Sequence, residues 1–346
     1  MSRIEVFLDR LPGETRGVIA RDGRFTHLLI DRDDDVAAHR LGARSVGRVV
    51  EAAPTLKGAF VDLGVGAPLA FLSLKGTDRV TVGEKLEVAV TAEPRGGKGP
   101  AVRRIGPGEG APRLLAPGPD VAASLAVLAP GVAPVTGIVA IDAGREAEAE
   151  GLQKGQTFAD TGLDLMLERT RALVAVDLDL GRGVGVGAGA SARARANRQG
   201  LHLAARGIGL RRWAGLVAID LIGVGHDGAA VLAEARAAFG DDEVVYGPVS
   251  RFGVLQLSLP WRRTPLEELM QDAAGRRRMA HRAQDGVRSL ARALLSDTAS
   301  PRLVLRCTPE EADLARPLVA ALGARAALQA DTHMAAGAHL IEDVRP

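Results

Sequence analysis

The sequence predicts a multidomain α/β (α+β) protein, and three observations predict it. Between about Ser45 and Ile105, five short strands rich in glycine crowd into a space that suits a small barrel of the OB type. After residue 163 strands and helices alternate, the order of a layered α/β unit. Inside that unit two runs are written almost identically, Ala172-Leu173-Val174-Ala175-Val176-Asp177 and Gly215-Leu216-Val217-Ala218-Ile219-Asp220. Apolar runs of this length suit strands buried on both faces. An Asp at the end of such a strand sits at the mouth of a sheet, where ligands usually bind.

The elements follow in order. Residues 3–9, 15–21 and 25–31 alternate like three strands, punctuated by Pro12-Gly13 and Asp22-Gly23. Asp31–Asp35 reads as a solvated acidic turn. The barrel strands fall at 46–52, 57–63, 67–72, 85–92 and 100–105. Residues 106–136, rich in Pro, Gly and Ala, read as a linker with a helical piece at 119–128. A strand at 137–141 and an acidic helix at 145–155 follow. The central unit carries the two Asp-ending strands. Between them lie a Gly/Val/Ala stretch at 181–190 and an Arg-studded helix at about 191–212. An Ala-rich helix at 228–239 and strands at 244–246 and 254–259 complete it. The chain is then mostly helical to about Leu295, passing a basic cluster at Arg276–Arg278. A small unit closes it: strand 302–307, helix 309–322, and strands near 324–329 and 338–342. The expected domains are 1–42, 43–105, 106–160, 161–264 and 265–346.

With 346 residues the chain can bury a sizeable core in two or three domains. Basic and acidic residues nearly balance, 44 against 42, but only five of the basic ones are lysine. Arginine forks match phosphate oxygens and stack on bases, which is compatible with a nucleic-acid partner. Inflated Ala and Gly give compositional bias as an equal explanation. One cysteine, Cys307, excludes an intrachain disulfide and a Cys-rich zinc site. The N-terminus lacks the charged-then-apolar order of a signal peptide, and no apolar run approaches membrane-spanning length. A cytoplasmic protein without membrane association is expected.

Chemistry gathers on the aspartates. Asp177 and Asp179 are two apart, so on a strand they share a face, and Asp220 could join them from a neighbouring strand. Hard cations such as Mg²⁺ take carboxylate oxygens together with substrate phosphates and water. Asp also commonly caps helices and turns; the parallel writing of two strands favours the metal, with Asp177 and Asp220 as ligands. Phe60 and Phe71 lie in the expected barrel of a chain with only 3% aromatics. Exposed rings on an OB face stack bases; on pattern alone, a core role is the more frequent one. Arg95-Gly96-Gly97-Lys98-Gly99 is a basic hairpin loop. The glycines of 181–189 match neither a phosphate loop nor a dinucleotide motif. The seven histidines form no ligand-spaced cluster, and no G-x-S-x-G elbow is present.

Taken together these segments resemble the bacterial ribonuclease E/G family. Glu14-Thr15-Arg16 is similar to the family's opening. Gly47-Arg48-Val49, Gly58–Gly64 and Ala70-Phe71-Leu72 resemble its inserted RNA-binding barrel, and Arg95–Gly99 a loop late in that barrel. Glu168–Asp177 is similar to the strand bearing the first metal ligand. Asn197 lies in a helix like the family's next one, Gly215–Ile222 resembles the second metal strand, and Val249–Leu255 a later strand of the catalytic domain. The agreement is colinear from about residue 4 to 265; residues 286–342 resemble the terminal small domain weakly.

The resemblance implies an OB-type RNA-binding barrel inserted in a ribonuclease-H-like subdomain, followed by a deoxyribonuclease-I-like catalytic domain and a small α/β C-terminal domain. It implies a Mg²⁺-dependent endoribonuclease acting in RNA processing or decay. Asp177 and Asp220 would hold Mg²⁺, with Asp179 beside them. A bound water would attack the phosphodiester of single-stranded RNA, leaving 5′-phosphate and 3′-hydroxyl ends. Phe60, Phe71 and Lys98 would hold that RNA, with Arg169 and Arg251 in the matching motifs as further contacts. Asp179 stands where the family usually has Asn, and Gly223 where it often has Asp. Ile141-Asp142 occupy the Arg-Thr positions of the 5′-monophosphate sensor, so its loss is expected. The Cys-Pro-x-Cys zinc link is absent, which implies a monomer or a dimer not linked by zinc. Two other readings fit the residues: a catalytically weakened RNA-binding or ribosome-associated protein of the same fold, and a DNA or nucleotide phosphoesterase, which leaves the barrel unexplained.

Overall fold

The computed structural model describes residues 3–76, 78–159, 161–181 and 189–343. It is a mixed α+β molecule that contains a closed five-stranded, OB-like barrel. Three alternating strands open the chain: β1 (Ile4–Leu11), β2 (Glu14–Arg21) and β3 (Arg24–Arg32), an antiparallel meander. Asp22-Gly23 turns the second hairpin with both residues at positive φ, the twist that two-residue hairpins favour.

The barrel follows, from β4 (Arg44–Ala53), β5 (Gly58–Asp62), β6 (Ala70–Ser73), β7 (Lys85–Ala92) and β8 (Ala101–Pro107). Pairing runs β4-β5-β6-β8-β7 and back to β4, with only β6–β8 parallel. Closure leaves no free edge. Val49, Val61, Leu72, Leu86, Val88 and Val102 fill the interior. The expected linker carries one more strand, β9 (Arg113–Ala116), which pairs with β4 beyond the five.

α1 (Val121–Leu128) starts on Asp120, whose carboxylate accepts from the Ala123 amide. The strand expected at 137–141 is instead the first turn of α2 (Ile138–Leu152). Gly137, at φ +76°, precedes it, and Ala140, Ile141, Gly144, Ala147, Glu148 and Gly151 make one buried helical face. This face packs on β1–β3, so the barrel interrupts a single layer of strands and helix.

The central sheet has the order β10-β11-β12-β13-β15-β14. Its strands are β10 (Gly155–Phe158), β11 (Leu163–Arg169), β12 (Val174–Leu180), β13 (Gly215–Asp220), β14 (Val245–Tyr246) and β15 (Val254–Leu259). Only β12 and β13 are parallel, joined through α3 (Ala190–Arg211); α4 (Gly228–Phe239) follows β13. The strands are not buried on both faces. Val174, Val176 and Leu178 point into the helix-covered core while Asp177 and Asp179 are exposed, and β11, β13 and β15 alternate in step. Residues 182–188 of the glycine-rich stretch lie outside the described residues.

After α5 (Leu266–Met270) and α6 (Met279–Ser296) the small terminal unit forms. It consists of β16 (Leu303–Cys307), α7 (Pro309–Ala321), β17 (Ala326–Ala330) and β18 (Leu340–Asp343), with β16 in the middle of its sheet. Arg276–Arg278 lies between α5 and α6 rather than in a helix.

A buried ion network welds the two ends of the chain together. Glu14 binds Arg16 at 2.6 Å, Arg288 at 2.9 Å and Arg32 at 2.9 Å, and Arg288 also reaches Asp9 at 3.1 Å. Arg16 continues to Glu148 at 2.7 Å, which takes His281 at 2.9 Å and Arg277 at 3.1 Å. The fold thus brings Glu148, His281 and Asp285 together, a cluster that sequence spacing had not shown. Arg16 and Arg277 already neutralise it, so it is an ion-pair network and a poor seat for a cation.

Candidate active site

Strand register builds the site. β12 and β13 run parallel with Asp177 directly opposite Asp220, both exposed on the sheet face that the helices leave open. Asp177 is not the end of its strand; β12 runs three residues further and carries Asp179 onto the same face. On the other side, β11 places Asp164 opposite Asp179 and Met166 opposite Asp177. Four carboxylates therefore line one surface: Asp164, Asp177, Asp179 and Asp220. Asp164 was not anticipated. Its signal was the alternation Leu163-Asp164-Leu165-Met166-Leu167, which the paired runs overshadowed.

The segment Glu168–Asp177, written as one motif, is a hairpin. The Thr170 amide donates to the Leu173 carbonyl at 2.9 Å, and the Thr170 hydroxyl accepts from the Ala172 and Leu173 amides at 3.2 and 3.1 Å. This tight reversal sets Asp164 beside Asp179.

Little on this surface offsets its charge among the described residues. Among the described residues none of the four aspartates forms an ion pair. Thr157 donates to Asp164 at 3.2 Å, and Asp179 accepts from the Leu180 amide at 2.7 Å. The Asp177 carboxyl is raised above its ordinary value by burial, then by the charges of Asp220, Asp179 and Asp164. Hard oxygen donors placed side by side by strand register, with no ion-pair partner among the described residues, suit a divalent cation.

Buried Asn197 holds the end of β13. Its side-chain amide donates to the Ile222 carbonyl at 3.2 Å and its oxygen accepts the Ile222 amide at 2.8 Å. Gly223 follows at φ +84°, where an added Cβ would lie 3.2 Å from the Arg193 Nε.

The other expected RNA contacts fall in three places. Phe60 and Phe71 are directly opposed on β5 and β6, ring centroids 5.5 Å apart, and both are half-exposed on the outside of the barrel. The core reading of the two rings is thereby corrected, since Ala59, Val61, Ala70 and Leu72 take the interior. Lys98 is exposed on a two-residue hairpin whose Gly96 and Gly97 have φ of +54° and +75°. The hairpin is tied down: the Gly96 amide donates to Glu268 at 2.6 Å, and Arg95 stacks 4.4 Å from the Trp261 ring centre. Arg169 is occupied elsewhere. Its guanidinium binds Glu267 at 2.6 Å and Glu268 at 2.7 Å, so it fixes the base of that hairpin. Arg251 is exposed beside the end of β13, on the loop that enters β15. Ile141 is buried in α2, and Asp142 is clasped by Arg292 at 2.6 and 2.9 Å.

Comparison with known proteins bears on the central sheet. Residues 141–260 match the sequence model of the ribonuclease E/G family. No curated protein matches the chain. The family resemblance read from the sequence holds over that segment, which contains Asp164, Asp177, Asp179, Asn197, Asp220 and Arg251.

Proposed function

We propose that the chain is a Mg²⁺-dependent endoribonuclease that cleaves single-stranded RNA in RNA processing or decay. The observation that carries the reading is the register of Asp177 against Asp220 on an open acidic face, within the segment that matches the ribonuclease E/G family. In this reading β10 to β15 with α3 and α4 make the deoxyribonuclease-I-like catalytic unit. The strands β1–β3 with α2 make the ribonuclease-H-like part that the barrel interrupts.

Asp177 and Asp220 would hold the cation, with Asp179 next to them. When bound, the cation supplies an activated water and neutralises charge on the scissile phosphate. The chain's own residues do the rest. Asn197 keeps the exit of β13, and so Asp220, in place. Phe60 and Phe71 offer half-exposed rings to bases, and the Lys98 ammonium a charge to the backbone. Arg251 offers a guanidinium fork to phosphate at the edge of the acidic face. Arg169, spent on Glu267 and Glu268, steadies the Lys98 hairpin rather than touching RNA. With Ile141 buried and Asp142 anionic, the 5′-phosphate sensor is absent from this reading.

Cleavage of a 5′-labelled single-stranded RNA with Mg²⁺ tests the proposal, comparing wild type with Asp177→Asn and Asp220→Asn. Each substitution should lower the rate by at least about 100-fold, since loss of one charge-stabilising group commonly costs that much. Equal rates in all three proteins would sink the metal-pair assignment. RNA binding without cleavage by wild type would favour the weakened, RNA-binding reading, which Gly223 motivates.

A further inference from the structure

Residues 250–253 turn the chain into β15 and carry a phenylalanine that the reading above does not use. Phe252 is 69% exposed, and it is the only phenylalanine among the described residues that stands exposed. A phenyl ring left in water forgoes its burial, yet the turn around it is well held. The Ser250 amide donates to the Val254 carbonyl at 2.9 Å. The Ser250 hydroxyl accepts from the Phe252 amide at 3.3 Å and the Val254 amide at 3.1 Å. Gly253 sits at φ +86°, and a Cβ there would come 2.7 Å from the Gly223 carbonyl oxygen. Its own carbonyl accepts the Leu221 amide at 3.1 Å.

These contacts fix the turn against the exit of β13. Val254, two residues beyond the ring, is the register partner of Asp220. The Arg251 guanidinium lies 4.8 Å from the centre of the Phe252 ring, so cation and ring are presented together. Single-stranded RNA is recognised by such pairs: aromatic faces stack unpaired bases and guanidinium groups bind phosphate or stack in turn.

We propose that Phe252 is a base-stacking, substrate-positioning residue, seating a nucleobase adjacent to the phosphate that meets Asp177 and Asp220, with Arg251 on the neighbouring phosphate. The inference rests on the ribonuclease reading and adds to it a contact on the catalytic unit itself, apart from the barrel. Such a contact would set the register of the strand relative to the acidic pair.

The test is binding of a fluorescent single-stranded RNA by anisotropy, with Mg²⁺ omitted to prevent cleavage. Phe252→Ala should weaken binding about 5- to 150-fold, Phe252→Tyr and Phe252→Trp should retain it, and Phe252→Leu should not. A set of RNAs with one abasic nucleotide at successive positions around the cleavage site supplies a readout that a merely structural role would not move. Wild type should lose affinity at one position, and Phe252→Ala should be indifferent to that position alone. Wild-type affinity in Phe252→Ala, full rescue by leucine, or equal sensitivity of Phe252→Ala and wild type to every abasic site would overturn the inference while leaving the ribonuclease reading intact. A wild-type protein that neither binds nor cleaves single-stranded RNA would overturn both.

Discussion

Asp177 is held where its charge is unwelcome. Burial first, then Asp220, Asp179 and Asp164, make its ionised form costly, a cost that the proposed divalent cation would relieve. Asp164 contributes charge from the adjacent strand without being one of the two proposed ligands. Replacing it by Asn should weaken Mg²⁺ binding by about three- to tenfold, from a single charge acting at a diagonal strand spacing. Calorimetric titration without RNA checks this, and the Asp177 carboxyl, followed by NMR, should titrate lower than in wild type. At this scale the sequence exposed Asp177, Asp179 and Asp220 because they interrupt apolar runs. It hid Asp164 because nothing local says which strand lies next to β12. It left Phe60 and Phe71 between a core role and an outer face: which face of a barrel strand points outward depends on the neighbours that fill the inside.

Among the elements, the connection from β13 to α4 is held in part by one side chain on another helix. Asn197 on α3 satisfies both backbone groups of Ile222. Asn197→Leu should cost about 1–3 kcal/mol, because the Ile222 amide and carbonyl are left without those partners. Thermal unfolding measures the loss, and cleavage should fall with it as the end of β13 loosens. The helix α3 was legible from its composition, but the role of Asn197 was not, since its partner lies 25 residues on. The strand expected at 137–141 failed for a related reason. Ile138, Val139 and Ile141 read as strand formers locally, and only packing of the buried 140, 144 and 147 face against β1–β3 selects the helix. The Thr170 reversal was missed because the apolar text resumes on both sides of it.

At the scale of the molecule, the ends of the chain meet in the network of Asp9, Glu14, Arg16, Glu148, His281 and Arg288. Burial alone would raise the Glu148 carboxyl, but the His281 hydrogen bond and the charges of Arg16 and Arg277 hold it down at about 2. Glu14 is likewise held below the carboxylate range by Arg16, Arg288 and Arg32 against its burial. A carboxyl lowered by folding contributes stability above its unfolded value that is lost as pH falls through its folded value. The melting temperature should therefore drop between about pH 4.5 and pH 2. Asp9, Asp31, Asp35 and Asp177, raised by burial, work against this trend, while Asp142, Asp272, Asp297 and Asp331, held down by hydrogen bonds, add to it. Glu148→Gln should melt lower than wild type at neutral pH and show a flatter acid slope; an unchanged slope in a melting series would refute the assignment. None of this was visible in the sequence, where Glu14 and Arg288 are 274 positions apart. Among the described residues, no helix is long and apolar enough to cross a membrane.

The sequence by itself determined the elements whose signals are local: the alternating N-terminal strands, the five barrel strands between glycines, the helices of the central and terminal units, and two aspartates written at the same place in two similar runs. Periodicity and turn chemistry act over a few residues, so they survive in one dimension. Only the tertiary structure decided that the central strands are covered on one side, that Asp177 faces Asp220 in register, that Asp164 joins them, and that Arg169 is spent on two glutamates. Those outcomes depend on which distant segments come to lie side by side, and that pairing is settled by packing of the whole chain.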